Sequence, residues 1–225
     1  MKYQITALAP DLWAIEENMV RCFLLHGEKG TLLIDACASG GSEFREAIDS
    51  ITGGAPMQIA LTHSDRDHTA GLIPSDTVWV NPAELEHLGA HDFTVEPLHD
   101  GTILSAGNRT VKAILLPGHT PGNMVFADEE QKVMFIGDSI SSAQVFLFGN
   151  GRNLPLYIQS LERLEEEFPG YRYYACHGEV LVGESQLNAQ LACAKKVLAG
   201  ELEGDNPPHP MPCKLYRYGG AALLY

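Results

Sequence analysis

Residues 61–72 read LTHSDRDHTAGL. Within six positions this stretch holds His63, Asp65, Asp67 and His68. The run MQIAL before it has the composition of a buried strand, and Gly71 marks a turn after it. Imidazole nitrogen and carboxylate oxygen are the donors that hold zinc, iron or manganese. Four such donors at one strand end form either half of a metal site or a solvated acidic loop. The rest of the chain decides between the two.

Working outward, three more donors fall just after strand-like runs. His119 lies in PGHTPGN after RTVKAILLP, Asp138 in FIGDS after KVMFI, and His177 in ACHGE after YRYYA. Loops at strand ends are where a rigid scaffold presents polar groups. Nearer the N-terminus LWAIEE, RCFLLHG and GTLLIDA read as strands, and TVWV as another. GGSEFREAIDSI spaces Phe44, Ala47, Ile48 and Ile51 as a helix. NPAELEHLG reads as a helix start, with Asn81 as N-cap, Pro82 first and Glu84 third. MVFAD and KVMFIGDS suggest a hairpin. LYIQSLERLEEEF places Tyr157, Leu161, Leu164 and Phe168 on one stripe. ESQLNAQLACAKKVLAG is a helix closed by Gly200, and CKLYRYGGAALLY a terminal hairpin. This alternation predicts an α/β fold of two packed sheets with helices outside. The Pro-rich GDNPPHPMP reads as a loop rather than a boundary, so residues 1–225 are expected to form one domain.

Composition narrows the function. Of 225 residues 45% are hydrophobic, enough for a substantial core. The formal net charge of −14 repels phosphate backbones, and no basic cluster offsets it, so nucleic acid is not an expected partner. No apolar run reaches the ~18–20 residues of a membrane span. The N-terminal MKYQITALAPDLW is too soon interrupted for a signal peptide, so a cytoplasmic location is expected. Five cysteines without a CxxC pair read as free thiols.

Taken together, the chain resembles the metallo-β-lactamase superfamily of metallohydrolases. The family motif His-x-His-x-Asp-His stands here as His63-Ser-Asp65-Arg-Asp67-His68. It is followed in family order by GHTPG around His119, GD at Asp138 and HG at His177, and LIDACASG around Asp35 looks like the family's Asp-bearing strand end. The resemblance implies a metallo-β-lactamase-like αββα sandwich, two mixed β-sheets packed face to face with helices outside. It also implies two divalent metal ions, zinc before iron or manganese. His63, Asp65 and His119 would hold the first metal, and Asp67, His68 and His177 the second. Asp138 would bridge, with Asp67 and Asp138 counted as catalytic. The implied activity is hydrolysis of a small ester, thioester, lactone or related molecule by an activated hydroxide.

Asp65 departs from the pattern, which has histidine there. Two divalent ions bring four positive charges; three carboxylates instead of two leave one rather than two. A less positive site acidifies water less, and oxygen ligands shift preference toward iron or manganese. Flavodiiron oxidoreductases of the same superfamily also carry a carboxylate at this position. A di-iron redox protein without its own FMN domain is therefore the alternative. The apolar segment at residues 140–157 is the expected substrate wall, with Phe146, Phe148, Arg152 and Tyr157 as candidate contacts.

Overall fold

The computed structural model describes residues 2–225. Its strands form two large sheets, of seven and six strands, and a small sheet of three. The chain divides into two compact units, one of residues up to 115 with 124–131, the other of 116–123 with 132–225.

In the first unit, β1 (Gln4–Ala9), β2 (Leu12–Glu17), β3 (Val20–Gly27) and β4 (Gly30–Ile34) follow one another antiparallel. Helix α1 (Ser42–Thr52) then carries the chain back, and β5 (Gln58–Ala60) pairs parallel to β4. Phe44 and Ile48 of α1 are buried, Ala47 and Ile51 pack against the same core, and Gly53 ends the helix in the left-handed region. The short α2 (Arg66–Thr69) follows the strand end, and β6 (Thr77–Val80) and β7 (Thr94–Pro97) extend the sheet in parallel. Between them the expected helix is a 3-10 turn, Pro82–Glu84, running into the four-residue α3 (Leu85–Leu88). Asn81 caps it by accepting from Ala83 N–H at 3.0 Å. Strands β8 (Ile103–Ala106), β9 (Arg109–Leu115) and β10 (Met124–Asp128) form an antiparallel ladder. Sequence patterning misses β1, β7 and β8, whose mixed polar and exposed residues carry no clean period.

In the second unit, β11 (Val133–Gly137) pairs parallel to β13 (Arg172–Ala175), and β14 (Leu181–Val182) adds antiparallel to β13. The expected wall at residues 140–157 is only partly loop. It contains β12 (Gln144–Phe146), which lies parallel to β16 (Ala221–Leu224) of the terminal hairpin with β15 (Leu215–Tyr218). It also contains the first turn of α4 (Leu154–Glu167), capped by Asn153. Leu154, Tyr157, Ile158, Leu161 and Leu164 form the buried stripe of α4, while Phe168 falls just past its end. Helix α5 (Glu184–Leu198) packs beside it and is followed by Gly200 in the left-handed region. Gly118 also has a required conformation: its φ is 135°, and a Cβ there would stand 2.4 Å from the Tyr157 backbone.

Among the described residues the five cysteines form no disulfide. Among the described residues no helix is long and apolar enough to cross a membrane.

One ion cluster of the first unit has a clear pH signature. Arg109 donates to both oxygens of the buried Asp11 and to Asp128, and Asn108 N–H donates to Asp11 at 2.9 Å. The guanidinium bond, helped by that N–H and opposed by burial, lowers the Asp11 pKa below its ordinary 3.8. A depressed carboxyl pKa contributes stability above the unfolded value and loses it as pH falls. Asp11→Asn is expected to cost about 1–3 kcal/mol at neutral pH. In urea melts at several pH values the gap to wild type should close below pH 3.8. A gap that persists unchanged in acid would show that the Asp11 charge is not its source.

Candidate metal centre

Parallel pairing places the donors. Because β4 and β5 run in the same direction, their C-terminal ends lie side by side, and Asp35 N–H donates to Ala60 C=O at 3.0 Å. Asp35 sits there with φ 64°, strained for a residue with a side chain. Its carboxylate, without exposed surface, accepts from Thr62 N–H (2.8 Å), Thr62 Oγ1 (2.8 Å) and His68 Nδ1 (2.9 Å).

These bonds decide the tautomers. Thr62 gives its only hydroxyl proton to Asp35, so it accepts from His63 Nδ1–H at 2.9 Å. His68 likewise donates from Nδ1 to Asp35. Both rings therefore aim the Nε2 lone pair away from this support. His63 Nε2 stands 3.5 Å from Asp65 Oδ2, and His68 Nε2 stands 3.8 Å from Asp67 Oδ2. The two imidazole centroids are 4.1 Å apart. The first unit thus brings together His63, Asp65, Asp67 and His68.

The second unit holds the other three. Pro117 C=O accepts from Ser160 Oγ and Gly118 C=O from Asn153 N–H, tying the GHTPGN loop to the start of α4. His119 Nδ1 donates to Phe146 C=O at 2.8 Å, so its Nε2 also carries the lone pair. Asp138 and His177 follow the C-terminal ends of the parallel strands β11 and β13, with a register shift just before Asp138. Each Asp138 oxygen faces a different ring: Oδ2 is 3.7 Å from His119 Nε2, and Oδ1 is 3.3 Å from His177 Nε2.

All seven side chains offer a ligand atom of metal-binding type. Their geometry suits cations better than hydrogen bonds. An imidazole lone pair facing a carboxylate oxygen is repulsive, and a cation between them turns that repulsion into ligation. Two donors about 2.1 Å from one tetrahedral ion stand roughly 3.4 Å apart, close to the spacings seen here.

The candidate substrate residues are arranged unequally. Phe146 is exposed and Phe148 half-buried, their ring centroids 5.9 Å apart. Arg152 donates to the His119 carbonyl at 2.6 Å. Tyr157 lies in the core, and its hydroxyl donates to Ser139 C=O at 2.7 Å. Sequence reading overlooked Glu84, which is fully buried and accepts from Ser64 N–H at 2.8 Å and Ser64 Oγ at 2.6 Å. Its position third in a helix start pointed to a cap. The partner that claims it lies twenty residues away in sequence.

Residues 15–177, which include every one of these donors, match the sequence profile of the metallo-beta-lactamase superfamily. The chain belongs to that superfamily. It is 34% identical over 125 residues to a lactamase-like protein of Aspergillus fumigatus, covering 55% of this chain and 36% of that one. It is 28% identical over 169 residues to an atrochrysone carboxyl ACP thioesterase of Aspergillus aculeatus, covering 72% of this chain and 50% of that one. The chain thus spans half or less of the length of these curated relatives. Among solved structures, a metallo-beta-lactamase from Pontibacter korlensis aligns with a TM-score of 0.70 at 17% identity, over 83% of this chain and 95% of that one. The likeness is one of fold: metallo-β-lactamase-like, two large mixed sheets with helices.

For a member of this superfamily, the Asp35 network is the support of two metal-ligand candidates. Asp35→Asn keeps the shape but places an amide where three donors now meet a carboxylate. Chelator competition should show metal affinity lowered about 10- to 100-fold in a folded protein. Wild-type affinity would mean that the network serves stability alone.

Proposed function

We propose that the protein is a metal-dependent hydrolase of a small acyl thioester, ester or lactone, with His63, Asp65, Asp67, His68, His119, Asp138 and His177 as the ligands of two metal ions. The observation that carries the reading is the donor set itself. Lone pairs of His63, His68 and His119 face carboxylate oxygens at 3.5–3.8 Å, within a span that matches a metallohydrolase superfamily. The name of the Aspergillus aculeatus relative supports a thioester as the first substrate class to test. The reading treats residues 1–225 as one domain.

Divalent ions, when bound, polarise a carbonyl and lower the pKa of water. The chain's own residues do the rest. Asp138 offers one oxygen to each side, as a bridging carboxylate must, with His119 and His177 flanking it. His63, Asp65 and His119 would hold one ion, and Asp67, His68 and His177 the other. Asp67 and Asp138 would supply negative charge to the bound ions and orient water for attack. Asp65 tempers the charge, so zinc, iron and manganese all suit the site. Phe146 and Phe148 form an apolar shelf whose backbone is tied to His119, which places the acyl group of a substrate beside that ligand.

The extra carboxylate, Asp65, also supports a second reading, a di-iron redox protein fed with electrons by a partner. Iron retained on purification, with a reducible visible chromophore and no ester or thioester turnover, would favour it.

Two measurements test the hydrolase. Purified protein loaded with zinc, manganese or iron should bind about two ions per chain and cleave a small acyl thioester. Asp138→Ala should drop bound metal toward one or none and abolish turnover. Wild type that binds fewer than about one ion under every loading condition would sink the reading. Separately, Phe146→Ala is expected to lower kcat/KM about 3- to 10-fold with metal content intact. Unchanged kcat/KM would remove the aromatic shelf from substrate recognition.

A further inference from the structure

We propose that Gln190 of α5, working through Tyr157 of α4, is a positioning residue that sets the spacing of Asp138 and His177. The inference rests on the reading of those two as metal ligands. Gln190 is a polar side chain with 1% exposure, far along the sequence from any motif. Both ends of its amide are bonded. Oε1 accepts from Ser141 N–H at 3.2 Å, and Nε2 donates to the Tyr157 hydroxyl at 2.8 Å. Burial pushes the Tyr157 phenol well above its ordinary pKa, so it stays protonated and donates to Ser139 C=O. One amide thus clamps the chain on both sides of Ile140, immediately after Asp138.

The same segment reaches His177. Ser141 Oγ donates to His177 C=O at 3.0 Å. Gln186, one turn before Gln190, donates from Nε2 to Ser141 C=O at 2.8 Å. Asn123 Nδ2 donates to Ser139 Oγ at 2.8 Å. Backbone groups of Ser139 and Ser141, just after Asp138, and the carbonyl of His177 therefore hang from one buried polar network. Two parallel strand ends bring Asp138 and His177 near each other, but strand pairing leaves the turns after them free to shift. A metal pair tolerates little error in donor spacing. Gln190 removes that freedom from the helix side, where an apolar residue would only fill space.

The test uses Gln190→Met, similar in length but without these bonds, and Tyr157→Phe, which deletes only the hydroxyl. Zinc and cobalt affinities are measured by chelator competition, with the visible spectrum of the cobalt form and melting of the metal-free protein. The expected result is that one of two bound ions weakens about 10- to 100-fold and the cobalt spectrum changes. The ion held by His177 should weaken several-fold more than the other, since it depends on both Asp138 and His177 and the other on Asp138 alone. Lower melting with both affinities and the spectrum unchanged would overturn the proposal and leave Gln190 a packing residue. Equal weakening of both ions would overturn it too. If Gln190→Met does not fold, Tyr157→Phe decides by the same criteria. Wild type that binds fewer than two ions defeats the two-metal reading before any variant is compared, and this inference falls with it.

Discussion

Parallel strand pairing is the constraint on which the rest depends. An antiparallel neighbour sends its C-terminal end to the opposite edge of a sheet. A parallel neighbour delivers both C-terminal ends to the same edge. The chain uses this twice. Strands β4 and β5 set Asp35 beside Thr62 and His63, and strands β11 and β13 set Asp138 beside His177. In each unit a helical crossover makes the parallel return, α1 in the first and α4 in the second. The amphipathic stripes of those helices are therefore conditions for the chemistry as well as for the core.

Around those strand ends, polar groups are held by other polar groups rather than left to water. Asp35 accepts three hydrogen bonds without exposed surface, and Glu84 accepts two from Ser64, the residue between His63 and Asp65. A buried carboxylate is costly unless its oxygens are satisfied, and satisfied it becomes a rigid anchor. The result is a set of imidazoles with fixed tautomers, each with Nε2 near a carboxylate. Asp65 makes that set more acidic than the superfamily pattern. On the proposed reading, that extra carboxylate is where this chain would differ from its fold in the choice of metal.

The chain by itself determined the superfamily, the α/β class and the identity of the candidate donors. Ligand chemistry demands particular side chains at short, ordered intervals after strands, and such intervals survive in one dimension. The helical stripes of α1 and α4 were legible for the same reason, since burial repeats every turn. Only the tertiary structure decided which groups support the donors. Glu84 read as a helix-start residue and accepts from Ser64; Tyr157, read both on the α4 stripe and as a candidate substrate contact, is a core donor to Ser139; nothing in the sequence marked Gln190. Strands β1, β7 and β8 were hidden because apolar and polar residue types do not alternate cleanly along them; in β8 both Ile103, which is exposed, and Leu104, which is buried, are apolar. The physical reason is common to these supports. A hydrogen bond between residues 18 to 49 apart leaves no period and no spacing in the sequence, and it exists only once the fold has brought donor and acceptor within about 3 Å.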